Sequence, residues 1–226
     1  MKRIDGRKED ELRPIVMKAG VIEQADGSAF VKFGNTSAIA AVYGPRSLHP
    51  KHLQIPDKAL LRTVYSMAPF STTERVKPGP SRRSIEISKV TRYALEPAVF
   101  LEEFPKTGIE VYIDIIEADA GTRTAGINAA SIALADAGIP MRDLVAAVAV
   151  GKINNNYIVD LCGKEEEQTL CDMPVAYMPR TKQITLLQMD GDITLDDATK
   201  LIKLAIKKCE EIYEIQKQAL KKRWMG

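Results

Sequence analysis

The chain reads as an α+β fold in which helices pack on mixed or antiparallel sheets. Period-2 segments joined by short turns outnumber the helical ones, so hairpins dominate. Helical segments fall between them irregularly instead of following every strand, which separates this pattern from a repeating parallel unit. A long amphipathic helix then closes the chain.

In chain order, residues 15–43 predict a meander: a turn at Ala25-Asp-Gly-Ser28, a strand from Phe30 to Phe33, a Gly34-Asn35 turn and a strand from Ser37 to Tyr43. Residues 44–83 differ, with prolines at 45, 50, 56, 69, 78 and 80 and one short strand from Leu60 to Met67. Ser84 opens a helix running to about Phe100. Ile109, Val111, Ile113 and Ile115 alternate with Glu110, Tyr112 and Asp114, which predicts a strand over 109–117 with one buried face. Ile127, Ala130, Ser131 and Leu134 recur at helical spacing, giving a helix over 125–137 stopped by Gly138-Ile-Pro140. Two hairpins follow: Val145–Val150 with Tyr157–Leu161, and Val175–Met178 with Ile184–Gln188. Leu195, Ala198, Ile202, Ala205, Cys209, Ile212 and Ile215 mark the last helix, with Thr194 as its N-cap and Asp197 three residues on. No repeat, low-complexity tract or linker divides the sequence, so residues 1–226 are expected to form a single domain.

Composition narrows the functional classes. The 226 residues are 45% hydrophobic and 27% charged with a formal net charge of +2, so any nucleic-acid surface has to be a local patch. No apolar run approaches the roughly 20 residues that span a bilayer, and Met1-Lys-Arg-Ile-Asp5 does not read as a signal peptide. Cys162, Cys171 and Cys209 lack metal-type spacing and suit a reducing compartment, hence a cytoplasmic protein. With only His49 and His52, a Ser-His-Asp triad or a multi-histidine metal site is not expected.

Three stretches carry chemistry. Ala120-Gly-Thr-Arg-Thr-Ala-Gly-Ile-Asn-Ala129 joins a strand to a helix N-terminus, where free N–H groups and the positive dipole end favour an anion. There Gly121 permits close backbone approach, Thr122 and Thr124 offer hydroxyls, and Arg123 offers a donor fork matched to phosphate oxygens. The competing reading is an ordinary turn with a capping threonine, since the pattern is neither a P-loop nor GxGxxG. The second stretch, 44–83, gathers Arg46, His49, Lys51, His52, Lys58, Arg62, Arg75, Lys77, Arg82 and Arg83 with few acids. Arg82 and Arg83 stand just before the Ser84 helix, and Tyr65 and Phe70 are aromatic platforms for an unpaired base. The alternative is a solvated loop with both aromatics tucked into the core. The third stretch is acidic: Gly163-Lys-Glu-Glu-Glu-Gln168, then Leu170-Cys-Asp-Met-Pro174. A glutamate run usually marks an exposed turn, but Asp172 sits between apolar neighbours at a strand entrance. A carboxylate there suits holding a divalent cation or protonating a leaving oxygen.

Tyr65-Ser-Met-Ala-Pro-Phe70, Ser81-Arg-Arg-Ser-Ile-Glu-Ile-Ser88, Ala118-Asp-Ala-Gly-Thr-Arg-Thr-Ala125, Ala135-Asp-Ala-Gly-Ile-Pro-Met-Arg142 and Asp172-Met-Pro174 resemble the RNase PH family, and within it the catalytic branch of archaeal exosomes. The resemblance runs from Arg3-Ile-Asp-Gly-Arg-Lys8 to the terminal helix. It implies an RNase PH-like fold of two ribosomal-protein-type, two-layer βαβα halves. It also implies phosphate-dependent 3′-to-5′ degradation of single-stranded RNA to nucleoside diphosphates, reversible to 3′ tailing. The implied partners are an inactive RNase PH-like paralogue, completing a hexameric ring, and RNA-binding cap subunits. By position, the resemblance puts the phosphate site on Gly121, Thr122, Arg123 and Thr124, with inorganic phosphate as co-substrate. It puts RNA contacts on Arg82 and Arg83, with Arg62 a weaker match and Tyr65 a stacking candidate. The essential aspartate falls on Asp172. A second acid, usually aspartate, falls on Glu166, or on Glu167 because the acidic loop reads as about one residue short; Asp172 and Glu166 are then the candidate Mg²⁺ ligands. Two other classes compete. A non-catalytic RNA-binding ring subunit would keep the basic loop without the anion turn or the aspartate, and a small-molecule kinase would need a glycine-rich nucleotide loop.

Overall fold

A computed structural model describes residues 3–225; Met1, Lys2 and Gly226, which the sequence reading includes in one domain, lie outside them. The first sheet comprises β1 (Ile15–Ala19), β2 (Gly27–Phe33), β3 (Thr36–Ser47), β4 (Leu60–Met67) and β5 (Thr107–Glu117), in the spatial order β1-β2-β3-β5-β4. Its pairs are antiparallel except β4 and β5, which run parallel and are linked through helix α1 (Arg82–Leu95). The second sheet, all antiparallel, holds β6 (Ala146–Ile153), β7 (Asn156–Val159), β8 (Cys171–Met178), β9 (Gln183–Leu187) and the two-residue β10 (Asp190–Gly191). β8 lies between β6 on one side and β9 with β10 on the other.

Helix α2 (Thr122–Asp136) lies between the two sheets, touching β2, β3 and β5 of one and β6 and β8 of the other. A helix in that place must be apolar or small on every side, and thirteen of its residues, from Thr122 to Asp136, are buried. The polar residue Asn128 is accommodated by bonding: its side-chain amide donates to the Thr124 and Ala147 carbonyls and accepts from Ala147 N. Helix α4 (Leu195–Met225) covers β6 and β8 with Ala205, Cys209 and Ile212 of the expected stripe and with Leu201, which that stripe did not include, while Leu195, expected on it, is exposed. Thr194 caps it through Asp197 N at 3.2 Å, as expected. One apolar cluster runs from Met17 in β1 to Ala219 in α4, so both sheets share a core.

Three local readings are corrected. Helix α1 opens at Arg82, not Ser84, because Ser81 is its N-cap and forms a reciprocal capping box with Ser84. It ends at Leu95, where Pro97 in the following 3₁₀ turn cannot continue it. The glutamate run is not an open turn: Gly163–Glu166 form the one-turn helix α3. The N-cap of α2 is Gly121, with φ of +64° and no side-chain cap, so neither threonine caps it.

Candidate active site

The parallel strands β4 and β5 both point their C-terminal ends at one groove, the place where α/β architecture leaves backbone turns free to bind ligands. After β5 the chain turns through Ala120 and Gly121, at φ of +57° and +64°, and enters α2. That left-handed pair aims the first N–H groups of α2 outward, and helix geometry leaves them without intrahelical acceptors. Strand β8 begins beside them and carries Asp172. Two adjoining cavities of about 660 and 350 Å³ result, sharing Arg83, Thr122 and Glu166 on their walls.

The smaller cavity brings together Arg83, Thr122, Arg123, Thr124, Glu166 and Asp172. Two of its buried polar atoms, Arg123 Nε and Asp172 Oδ1, lack a partner, while the Thr122 hydroxyl lies against that of Tyr65. Buried polar groups are normally satisfied, so orphans of both signs facing one groove mark a place made for a polar ligand. The Arg123 guanidinium is held in place, with Nη1 donating to Gln188 Oε1 at 2.7 Å and Nη2 to Glu86 Oε2 at 3.1 Å. The Asp172 carboxyl is pushed up from 3.8 to about 6, by burial first and then by Glu166 and Asp190, against the opposing charges of Arg123 and Arg83. A carboxyl balanced near neutrality inside a cleft is the usual condition of an acid–base group.

Among the other candidates, Arg82 and Arg83 are exposed on the first turn of α1, and Arg83 reaches both cavities. Two cations at a helix N-terminus oppose the helix dipole, a placement that an anionic ligand would offset. Glu166 faces both cavities and Glu167 only the larger one, so Glu166 is the acid brought to Asp172. Arg62 is not part of the cluster: it sits on the open face of the first sheet, paired with Glu110 at 3.2 Å. Tyr65 does not fit an open stacking platform, because its ring is 3% exposed and packed against Gly126 of α2. Phe70, at 76% exposure, is the available aromatic.

Sequence reasoning missed Asp190, Glu86 and Gln188. Asp190 pairs in register with Asp172 across β10 and β8, yet its Met-Asp-Gly-Asp context reads as a plain turn. Glu86 lies inside a quoted motif, but its pairing with Arg123 spans 37 residues and leaves no local trace. Among the described residues no group of three or more His, Cys, Asp or Glu side chains is arranged to hold a metal ion. The Asp172–Glu166 pair still suits Mg²⁺, which keeps most of its waters and takes one or two carboxylates. No described helix is long and apolar enough to cross a membrane.

Fold and site together are those of an α+β protein with arginine and carboxylate groups facing one groove at a helix N-terminus. The 3′ exoribonuclease family matches the chain as two domains, domain 1 over residues 11–140 and domain 2 over residues 143–208. The chain belongs to this family, the RNase PH exoribonucleases. It is 59% identical over 224 residues to the exosome complex component Rrp41 of Pyrococcus abyssi, covering 99% of this chain and 90% of that protein. The Nitrosopumilus maritimus protein of the same name is 50% identical over 225 residues, with 100% and 92% covered. Rice Rrp46 shares the fold at a TM-score of 0.88 and 24% identity, over 97% of this chain and 100% of that one. A chain of the Archaeoglobus fulgidus exosome with RNA bound to the active site superposes at a TM-score of 0.83 and 25% identity, over 94% and 92%.

Proposed function

We propose that this chain, acting as one domain, is the catalytic subunit of an archaeal-type exosome and degrades single-stranded RNA from its 3′ end by phosphorolysis. The carrying observation is the meeting of an orphaned donor on α2, Arg123 Nε, with Asp172, whose carboxyl is raised to about 6, in one groove. Inorganic phosphate rests on the Gly121–Thr124 turn, held by Arg123, and Arg83 and Arg82 receive the RNA backbone phosphates arriving along the larger cavity. A phosphate oxygen attacks the last phosphorus of the chain, the bond from phosphorus to the 3′-oxygen breaks, and a nucleoside 5′-diphosphate leaves. Asp172, its carboxyl raised to about 6, delivers from its protonated form the proton that the departing 3′-oxygen needs, and fixed donors take up the charge that develops on the phosphoryl oxygens. If Mg²⁺ is bound, Asp172 and Glu166 hold it, and it supplies Lewis-acid stabilisation of that charge. Run backwards, the same arrangement adds nucleotides. Backbone contacts and Phe70 stacking give little sequence preference.

The partners that go with this reading are an RNase PH-like paralogue completing a hexameric ring and RNA-binding cap subunits, in the cytoplasm. Incubating the chain with single-stranded RNA, with and without the paralogue and with and without phosphate, tests it. Nucleoside diphosphates are expected only when phosphate is present. Monophosphates released at the same rate without phosphate would make the chain a hydrolase.

A further inference from the structure

Ahead of β1, residues 3–13 form a strap whose three arginines are nearly out of water, with side-chain exposures of 0% for Arg3, 9% for Arg7 and 5% for Arg13. Arg3 forks onto Glu165, Nε to Oε1 at 2.8 Å and Nη2 to Oε2 at 2.7 Å. Its other N–H groups reach the carbonyls of Lys8, Glu11, Val159 and Asp160. Arg13 forks onto Asp160, Nε to Oδ2 at 3.0 Å and Nη2 to Oδ1 at 2.7 Å, and its Nη1 donates to the Asp119 carbonyl at 2.6 Å.

These bonds end directly behind the site. Glu165 neighbours Glu166 on α3, a helix of four residues that is too short to hold its own shape. Asp119 and Ala120 form the turn that launches α2, and Arg13 Nη2 lies 3.2 Å from where a Cβ on Gly121 would stand. Thr36 clamps the same turn, accepting from Asp119 N at 3.0 Å and donating to the Ala120 carbonyl at 2.7 Å. The Asp119 carboxylate accepts from Gly163 N, the first residue of α3, at 2.8 Å and so couples the two halves. Buried ion pairs are weak stabilisers compared with apolar packing, so such a set is better explained by the geometry it imposes. Oxyanion chemistry requires that geometry to be held within about half an ångström.

We propose that Arg3 and Arg13 are positioning residues of the phosphorolytic site. Arg13 fixes the turn that receives phosphate, Arg3 fixes the one-turn helix that presents Glu166, and Asp119 keeps the two in register. This rests on the phosphorolytic reading above. The test is steady-state kinetics on the active assembly, varying phosphate and RNA separately. Arg13→Lys keeps the charge but loses the fork, and is expected to raise the KM for phosphate roughly tenfold while RNA affinity holds. Arg3→Lys is expected to lower kcat roughly tenfold with the phosphate KM nearly constant. Thr36→Val, which keeps the shape and removes only the hydroxyl that clamps the turn, must also raise the phosphate KM. If the variants lose only thermal stability and the folded enzyme keeps wild-type constants, the strap is scaffolding and the proposal is overturned. Wild-type protein run alongside separates the two claims. Wild type that ignores phosphate removes the functional reading and this inference with it, whereas wild-type phosphorolysis with unchanged variants overturns this inference alone.

Discussion

Replacing Asp172 with Asn should make the protein more stable and nearly inactive at once. The fold raises this carboxyl from 3.8 to about 6, so the ionised form is disfavoured in the folded state by burial and by Glu166 and Asp190, more than Arg123 and Arg83 compensate. About 2 pKa units correspond to about 3 kcal/mol at most, and the partial exposure of the residue reduces this to roughly 1–2 kcal/mol. The stability linked to this group is complete below the unfolded value and is lost as pH rises through about 6. An uncharged amide of the same shape avoids that loss. The gain from Asp172→Asn should therefore be full above pH 7, about half at pH 5 and nearly absent below pH 4. For a chain of this size it amounts to a rise in Tm of roughly 2–8 °C. Thermal melts of wild type and variant at those three pH values, with a chelator present, measure it. Phosphorolysis by the same variant should fall about 10²- to 10⁴-fold, in kcat rather than in RNA affinity. A variant that melts at or below the wild-type temperature, with a difference indifferent to pH, would show that the arginines dominate and that Asp172 is an ordinary paired carboxylate.

Three further outcomes follow from the same geometry. Arg82→Glu with Arg83→Glu should weaken binding of single-stranded RNA alike for all sequences and flatten its salt dependence by roughly one to two units of slope; unchanged affinity in a filter-binding titration would assign these residues a structural role. Glu166→Gln should impair turnover or raise the Mg²⁺ requirement while Glu167→Gln behaves as a surface change, because only Glu166 shares a cavity with Asp172; equal, negligible effects in a metal titration would remove the two-acid arrangement. Gly121→Ala places a side chain at φ of +64° and crowds Arg13, at a cost of about 1–2 kcal/mol, and should raise the phosphate KM by about an order of magnitude; an unaltered KM would mean that the turn does not touch phosphate.

The parts legible in sequence were those written locally. Strand β5 was visible because its period of 2 comes from each residue's own neighbours, and helix α2, buried on every side, because it is a run of alanines and other small or apolar residues stopped by Gly138-Ile-Pro140; the candidate turn was visible because it joins them. The β6–β7 and β8–β9 hairpins were equally plain, as short apolar runs on either side of turn residues. The Ser84 start failed by two residues because a capping box places serine at both ends of one turn, and only the bonds decide which is the cap. Tyr65 could not be assigned to groove or core from sequence: in β4 its burial follows from the side of the sheet that α2 covers. Asp190 beside Asp172, Glu86 beside Arg123 and Arg3 beside Glu165 are products of topology, the last across 162 residues, and no window of sequence contains them.

The exceptions to ordinary protein chemistry are distributed in an informative way. Elsewhere in the chain, positive φ at a non-glycine residue mostly falls at hairpin or loop turns such as Asn154 and Lys182, where topology alone accounts for it. At Ala120 no hairpin requires it, since the chain there passes from a strand into a helix. Around that point stand two arginines at the wrong end of a helix dipole, an arginine Nε buried without an acceptor, and a carboxyl raised to about 6. Each feature is unfavourable in the folded chain alone, and such departures concentrate where function requires them. The donors and cations are relieved by a single kind of visitor, an oxyanion, and the carboxyl is relieved by a proton it can pass on or a cation it can share. An inert RNA-threading subunit would gain nothing from the second half of that arrangement, because holding a phosphodiester backbone needs no acid. The carboxyl beside the anion cradle therefore argues for bond cleavage at this groove.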